Sequence, residues 1–150
     1  TIVTIEPAAP PIRGVDTTNV RYRESGGLSW GVGNTPITYD PPISEPSELS
    51  VELTSEAEGP DLVPCYQQTE PARQLINLTD IPVLFMNGEG SYHRIFDHCL
   101  ANWLNQAGVD TEYVRMEEVG LPGNGHMMML ELNSKEIAEY IHIWLAENIL

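Results

Sequence analysis

The feature that most constrains the fold is a continuous apolar run at residues 81–86, IPVLFM, bounded by Asp80 and by Asn87-Gly88. A run without polar alternation is typical of a strand that is buried on both faces, as in a parallel sheet. Parallel strands need a crossover connection between them, which is usually a helix. This run therefore predicts a helix after it and a second strand beyond the helix.

The residues that follow have the patterns that such a crossover needs. Apolar residues recur at helical spacing near residues 95–107, and Gly108 suits the C-terminal end of that helix. Residues 111–116 predict a short strand. A last helix is predicted around residues 137–145, with a capping box formed by Asn133 and Glu136 before it.

Two further segments complete the predicted order of elements. Residues 1–5, TIVTI, are another β-rich run, and a short helix is predicted near residues 70–77. Alternation of strands and helices predicts an α/β fold with right-handed crossovers. About three parallel strands make an incomplete sheet, and an apolar edge strand invites pairing with another strand. We therefore expect an N-terminal fragment or chain, outside these residues, to complete the sheet.

Residues 7–70 differ from the rest of the chain. Ten of the 12 prolines lie in residues 1–71, and turn motifs replace sustained apolar periodicity. Such a stretch predicts a lid or cap-like insert, with Trp30 and Tyr39 either lining a substrate pocket or anchoring the insert to the body. The predicted division is a strand and acid loop at 1–6, the insert at 7–70, and the C-terminal part of the core at 71–150.

The charge of the chain excludes some classes of partner. The 150 residues contain 22 Asp plus Glu and seven Lys plus Arg, a net charge of −15. No basic residue lies between Arg23 and Arg73. Binding to nucleic acid or to an anionic membrane needs clustered cations, so neither is expected as a partner. No apolar run approaches the roughly 18 residues of a membrane span.

Two features bear on localisation. Cys65 and Cys99 are either a single disulfide or two unlinked small apolar residues, and their spacing does not suit a metal site. Asn77 begins an Asn-Leu-Thr glycosylation sequon, which matters only in a secreted protein. Together with the acidity of the chain, these features predict a secreted, extracellular protein.

Three chemically suitable residues follow predicted strands. Glu6 follows TIVTI, Glu89 follows IPVLFM, and His126 follows the strand at 111–116, within GLPGNGHMMM. Active groups of open α/β sheets gather in loops at the carboxyl ends of the strands. A histidine and a carboxylate in such loops are two members of a nucleophile–histidine–acid triad, and either Glu6 or Glu89 suits the acid. Of Met127, Met128 and Met129, two are expected to pack in the core beneath the histidine.

The third member of a triad is not found in the chain. No G-x-S-x-G motif occurs around Ser25, Ser29 or Ser91. In α/β-hydrolases the order along the chain is nucleophile, acid, histidine. A serine nucleophile is therefore expected N-terminal to Glu6, on the complementary fragment.

The motifs GNGHMMM at 123–129 and IVTIEP at 2–7 resemble those of the α/β-hydrolase superfamily. More narrowly, they resemble bacterial and fungal esterases related to the Alcaligenes esterase, which carry G-N-x-H-M-M-M after the last strand and a glutamate acid after the sixth. LTDIPVLFMNGEGSYH resembles their seventh strand and its loop, and TPITYDPP resembles the insert of the fungal relatives. The resemblance covers essentially the whole chain, without the nucleophile.

This resemblance implies the C-terminal half of a serine hydrolase acting on small carboxylic esters. His126 is then the base, Glu6 the triad acid and Glu89 the alternative acid. No cofactor is implied, and no metal is expected, because His93 and His98 do not share a helix face. The alternatives are a noncatalytic binding protein and a lyase or acyl-transfer enzyme on the same fold.

Overall fold

The computed structural model of the chain describes residues 1–7, 15–16, 21–22, 29–30, 35–44 and 48–149, with side chains in 1–7, 37–44 and 48–149. Within these residues the α-helices are α1 (Asp97–Gln106) and α2 (Ser134–Asn148), and short 3-10 turns lie at Tyr92–Ile95, Met116–Val119 and Met128–Leu130. The strands in the described residues are β1 (Ile2–Ile5), β2 (Val15–Asp16), β3 (Arg21–Tyr22), β4 (Ser29–Trp30), β5 (Thr35–Pro36), β6 (Val51–Leu53), β7 (Tyr66–Gln68), β8 (Val83–Asn87) and β9 (Thr111–Arg115).

The centre of the fold is a three-stranded parallel sheet in the order β1-β8-β9. All five residues of β8 are buried, because the strand has a partner on both sides and a helix over each face. The prediction of a sheet of parallel strands with flanking helices is therefore confirmed for the described residues. In the described residues β1 pairs only with β8, and Ile2 at its start is exposed.

Successive side chains of β8 enter two different cores, as the two-residue period of a strand requires. Val83 and Phe85 join a cluster that includes Leu100, Trp103 and Leu104 of α1. Leu84 and Met86 join a second cluster, which includes Ile137 and Trp144 of α2 and also Met116 and Met128. Burying each large apolar side chain contributes about 1.5–3 kcal/mol. The two cores hold β8 in place between the helices.

The predicted insert is described only in part. Its described strands form short antiparallel pairs, β2 with β3, β4 with β5, and β6 with β7. Tyr39 is 2% exposed and lies with Leu49 in the α1 cluster, so this aromatic ring attaches its segment of the chain to the core. The side chain of Trp30 lies outside the described residues. Within the described part of the chain, no helix is both long and apolar enough to cross a membrane.

Cys65 and Cys99 form a disulfide between the residue before β7 and helix α1. The hydrogen bond from His98 Nε2 to the Val63 carbonyl, 3.1 Å long, ties the same two segments together. Asn77 of the sequon is exposed, in a turn at residues 76–80. An exposed asparagine is accessible to a glycosylating enzyme, and glycosylation at this position stays a prediction.

We expect the double variant Cys65→Ser/Cys99→Ser to be less stable by about 3–4 kcal/mol, because the bond restricts a loop of 34 residues in the unfolded chain. Urea unfolding of the oxidised protein and of the variant measures this difference. The control is urea unfolding of the wild-type protein after its disulfide has been reduced. The reduced protein should be as stable as the double variant. Equal unfolding midpoints in all three samples would contradict the prediction.

Two local predictions about helices are wrong. Residues 70–77 do not form a helix, because the backbone of Gln74 instead pairs with Asp40 in an antiparallel bridge. The predicted capping box of α2 is also absent. Asn133 is the N-cap, but its φ of −99° and ψ of 20° differ from the extended backbone of a capping residue, and its side chain makes no capping hydrogen bond.

The prediction for the three methionines is wrong in number. Only Met128 is buried, whereas Met127 and Met129 are each 51% exposed. The reason is local, since the 3-10 turn Met128–Leu130 directs its first side chain into the α2 cluster and the next one outward. The histidine loop therefore rests on one methionine.

Candidate active site

Three loops meet at the carboxyl edge of the parallel sheet. Glu6 directly follows β1, the segment Gly88–Ser91 follows β8, and His126 lies in the longer loop after β9. Ile5 is paired with Met86, and Met86 with Val114, so the three strands end side by side. Residues separated by 120 positions in the chain are brought into contact at this edge.

Glu6 is held almost completely inside the protein, with 5% of its surface exposed. Its φ of 45° is a left-handed conformation that turns the backbone at the end of β1, and its N–H donates to the Met86 carbonyl at 3.0 Å. The carboxylate then lies over the end of β8. This left-handed conformation is uncommon for a residue other than glycine. Residues strained in this way are often found at functional sites.

The Glu6 carboxylate accepts three hydrogen bonds. Oε1 accepts from the Gly88 backbone N–H at 2.9 Å. Oε2 accepts from the Ser91 hydroxyl at 2.7 Å and from His126 Nδ1 at 2.5 Å. Since both oxygens are held by donors from the loop after β8, the carboxylate has one orientation with respect to the histidine. A buried carboxylate with several donors is well suited to orient a neighbouring imidazole.

His126 is the more accessible member of this pair, with 39% of its side chain exposed. Its Nδ1–H donates to Glu6, so the neutral ring has its acceptor lone pair at Nε2. The Tyr92 ring lies 5.1 Å from it, and the His93 ring lies 4.8 Å from it, measured between ring centroids. The histidine is thus oriented at one nitrogen and is ready to accept a proton at the other.

The loop that carries His126 is fastened to the loop after β8. Asn124 is buried, and its Nδ2 donates to the Leu121 carbonyl at 2.7 Å. Its backbone carbonyl accepts from the Gly90 N–H at 2.8 Å. The Gly125 N–H donates to the Glu131 carboxylate at 3.2 Å. These contacts set the position of the histidine backbone relative to Glu6.

The chain is similar to a secreted lipase. It is 37% identical over 145 residues to the probable secreted lipase phiG of a fungus, Fungal sp. (strain ATCC 74256). The match covers 96% of this chain and 38% of the relative, so the chain spans less than two fifths of that protein's length. No family model and no solved structure matches the chain. The similarity to a secreted protein confirms the predicted extracellular localisation.

Glu89, the alternative acid, lies apart from the His126 ring. It is exposed, and its carboxylate accepts from the Gly123 backbone N–H at 2.9 Å. Both glutamates follow strands of the sheet, but only Glu6 reaches the imidazole. Glu89 instead holds the backbone of the histidine loop, three residues before His126.

Sequence reasoning considered Ser91 only as a nucleophile and missed its contact with the acid. The hydroxyl donates to Glu6 Oε2, while its oxygen accepts from the His93 N–H at 3.1 Å and so caps the 3-10 turn Tyr92–Ile95. Its place four residues after the end of β8, in NGEGS, was the signal for such a role. Asn124 was also missed, and its neighbours Gly123 and Gly125 in the motif were the signal there.

Among the described residues, two groups of side chains have the atoms of a metal site. Cys65, His98 and Cys99 are one, but the two sulfurs are bonded to each other and are not thiolate ligands. The other is Glu6, His93 and His126, whose ligand atoms lie within 4.8 Å of one another. In that group Nδ1 of each histidine is hydrogen-bonded to a carboxylate, His126 to Glu6 and His93 to Asp97. This arrangement is that of two histidine–carboxylate pairs.

We expect Gly88→Ala to disrupt the site, because a Cβ there would lie 2.3 Å from the backbone oxygen of Asn124. Displacing that backbone destabilises the protein by about 1–3 kcal/mol and moves His126. Thermal unfolding measures the loss of stability, and the NMR chemical shifts of the His126 ring report its displacement. The matched control is Gly90→Ala, whose Cβ would lie at an ordinary 3.4 Å from the same oxygen. Equal effects of the two substitutions would contradict the steric explanation.

Proposed function

We propose that the chain is the acid- and histidine-bearing part of an α/β-hydrolase that cleaves carboxylic esters with a serine nucleophile. The observation that carries the proposal is the hydrogen-bonded pair of Glu6 and His126 at the carboxyl edge of a parallel sheet. This is the position at which α/β folds bind ligands, and the pair has the order acid then histidine of the hydrolase triad. The similarity to a secreted lipase supports the same class.

In the proposed reaction, His126 Nε2 takes the proton of the serine hydroxyl as the serine oxygen attacks the ester carbonyl. Glu6 stabilises the imidazolium that forms and keeps Nδ1 protonated. The imidazolium then gives its proton to the leaving alcohol, and an acyl-enzyme remains. Water, deprotonated by the same nitrogen, attacks the acyl group, and the proton returns to the serine. Each half-reaction uses one proton, which passes through His126.

The serine nucleophile is proposed to lie on polypeptide N-terminal to Glu6. Among the described residues, no serine hydroxyl is hydrogen-bonded to His126, and that of Ser91 is bonded to the acid. The relative is much longer than this chain, which covers 38% of it. The unpaired side of β1 in the described sheet offers the edge against which a further parallel strand would align. The amides that hold the oxyanion are expected mainly from that part.

Residues 7–70 are proposed to be an insert that covers part of this edge of the sheet. Its described C-terminal portion is attached to the body at several points, among them the disulfide and the buried Tyr39 ring. The Val63 N–H also donates at 3.0 Å to the carbonyl of Ile95, the last residue of the 3-10 turn that follows Ser91. An insert tied down this close to the site is suited to shape the space for the substrate.

Among α/β-hydrolases, we propose a relation to the esterases that resemble the Alcaligenes enzyme. The support is the string GNGHMMM, in which His126 is the base, and the acid after the strand IVTI. The contacts of Asn124 in this string support the relation, because its backbone carbonyl joins the histidine loop to Gly90 and its side-chain amide braces the histidine loop through the Leu121 carbonyl. The exposed Met127 directly after the base is suited to contact an apolar part of the substrate.

Covalent labelling of the full-length protein tests the proposal. We expect an alkyl fluorophosphonate to label one serine N-terminal to Glu6, as found by mass spectrometry of the digested protein. Labelling should stop hydrolysis of p-nitrophenyl esters, and His126→Ala should prevent it. Labelling of a serine within residues 1–150 would overturn the position of the nucleophile. Absence of both labelling and ester hydrolysis would overturn the proposed function.

A further inference from the structure

A second histidine–carboxylate pair lies directly against the first one. His93 Nδ1–H donates to Asp97 Oδ1 at 2.9 Å, and both side chains are almost completely buried. His93 belongs to the 3-10 turn after Ser91, and Asp97 begins helix α1, so the pair spans the junction between them. The proposed reaction does not use either residue, although a buried ionisable pair is expensive to desolvate.

The ring of His93 is stacked on the ring of His126. Their centroids are 4.8 Å apart, and the angle between the ring planes is 8°. His93 is itself enclosed by Tyr92 and Phe96, at centroid distances of 4.5 Å and 4.9 Å. One face of the His126 ring therefore rests on a ring that cannot turn, because the hydrogen bond to Asp97 and the two aromatic neighbours hold it.

The buried charge of Asp97 acts on the same ring. Asp97 is 1% exposed. Burial raises the pKa of its carboxyl to about 6, although the hydrogen bond from His93 and the charges of His93 and His126 lower it, and Glu6 raises it. The interaction between two charges is mutual, so an ionised Asp97 also stabilises the protonated His126. Four titratable groups lie around Asp97. They are His93 in the 3-10 turn before α1, Glu6 after β1, His126 in the loop after β9, and Tyr113 on β9.

We infer that His93, held by Asp97, is a positioning residue for the base His126. Its stacked ring keeps the His126 ring in the plane that faces Glu6, and the Asp97 carboxylate behind it favours the imidazolium form of His126. The inference rests on the proposed function for its effect on catalysis, whereas its effect on the His126 ring is a property of this chain alone.

A purely space-filling role does not account for these residues. If the side chain at position 93 only filled space, a phenylalanine would do so equally well and would not need a carboxylate partner at position 97. Asp97 Oδ2 is buried and has no hydrogen-bond partner among the described residues, so packing alone leaves this oxygen unsatisfied. An effect on the charge of His126 gives the carboxylate a use that packing does not.

The variant Asp97→Asn tests the inference, because asparagine keeps the shape and an acceptor oxygen for His93 but has no charge. Removing a nearby negative charge disfavours the imidazolium, so the pKa of His126 should fall. We expect the acid limb of the kcat/KM profile to move to lower pH by about 0.5–1 unit. Above pH 7, kcat should fall about 3- to 10-fold with KM little changed, since a weaker base remains in place.

Folding is checked in the same samples. Ionisation of Asp97 above its raised pKa destabilises the folded protein, so Asn at this position should be tolerated. If Asp97→Asn does not fold, His93→Phe keeps a stacking ring and should lower the pKa of His126 similarly, because the unpaired Asp97 then stays protonated.

Glu117→Gln is the matched control. It removes a partly buried carboxylate that is bonded to Arg94 rather than to either histidine.

The pKa of His126 is read directly from the 13C shift of its Cε1 during an NMR titration of the full-length protein. This measurement does not depend on ester hydrolysis, so it separates the inference from the proposed function. A lower His126 pKa in Asp97→Asn, with no change in Glu117→Gln, supports the inference. An unchanged His126 pKa in a variant of native melting temperature overturns it, as does an equal shift in the control.

Discussion

His126→Ala is expected to lower kcat for ester hydrolysis by at least about 1,000-fold, with a much smaller change in KM. Without the imidazole, the proton of the serine loses its proposed acceptor, and the Glu6 carboxylate loses the ring that it orients. The residual rate comes from substrate binding and from the amides that hold the oxyanion, which the substitution leaves intact. The loss is therefore large but incomplete.

Initial rates with a short-chain p-nitrophenyl ester, across a range of concentrations, separate kcat from KM. His142→Ala is the control, because this histidine is exposed on α2. Its rate should stay within about twofold of wild type, as for most surface substitutions. The His126 side chain is partly exposed, so the variant should retain a cooperative unfolding transition. A loss of less than tenfold in a folded variant would contradict the role of general base.

The arrangement of the sheet could be predicted because its signal is local. IPVLFM has no polar alternation, and that pattern alone indicates a strand with a helix over each face. Glu6 and His126 could also be predicted as site residues, since both follow strands of the sheet. The position after a strand did not decide between Glu6 and Glu89, and only the resemblance favoured Glu6. The left-handed φ of Glu6 turns its carboxylate inward, and nothing in the residues IEPA requires that turn.

The second histidine–carboxylate pair shows another limit of the sequence. His93 and Asp97 are four residues apart, a spacing that favours contact within a helix. The stacking of His93 on His126, however, joins residues from two different loops, and it depends on the 3-10 turn that precedes α1. Helical periodicity in the sequence does not distinguish that turn from the first turn of α1. Contacts made by such irregular segments are decided by tertiary packing.

Glu6→Gln is expected to lower kcat by about 1,000- to 10,000-fold while the fold is retained, as for the loss of the acid in other serine hydrolase triads. Glutamine has nearly the same shape, so its oxygen can still accept one of the hydrogen bonds now made by Gly88 and Ser91. It cannot stabilise the imidazolium by charge. Its N–H₂ group also favours the wrong tautomer, with the proton on Nε2 of His126, so the base is blocked.

Glu89→Gln is the matched control for this substitution, because it removes a glutamate carboxylate from the neighbouring loop. An amide oxygen at position 89 can still accept from the Gly123 N–H, so we expect a loss of less than about tenfold. Both variants are compared at one pH, with melting temperatures to verify folding. A larger loss in Glu89→Gln than in Glu6→Gln would transfer the role of the acid to Glu89. Its carboxylate would then have to leave Gly123 and turn towards the imidazole when substrate binds. The present geometry opposes that movement, because Glu6 already occupies Nδ1 of the ring and is held there by two further donors.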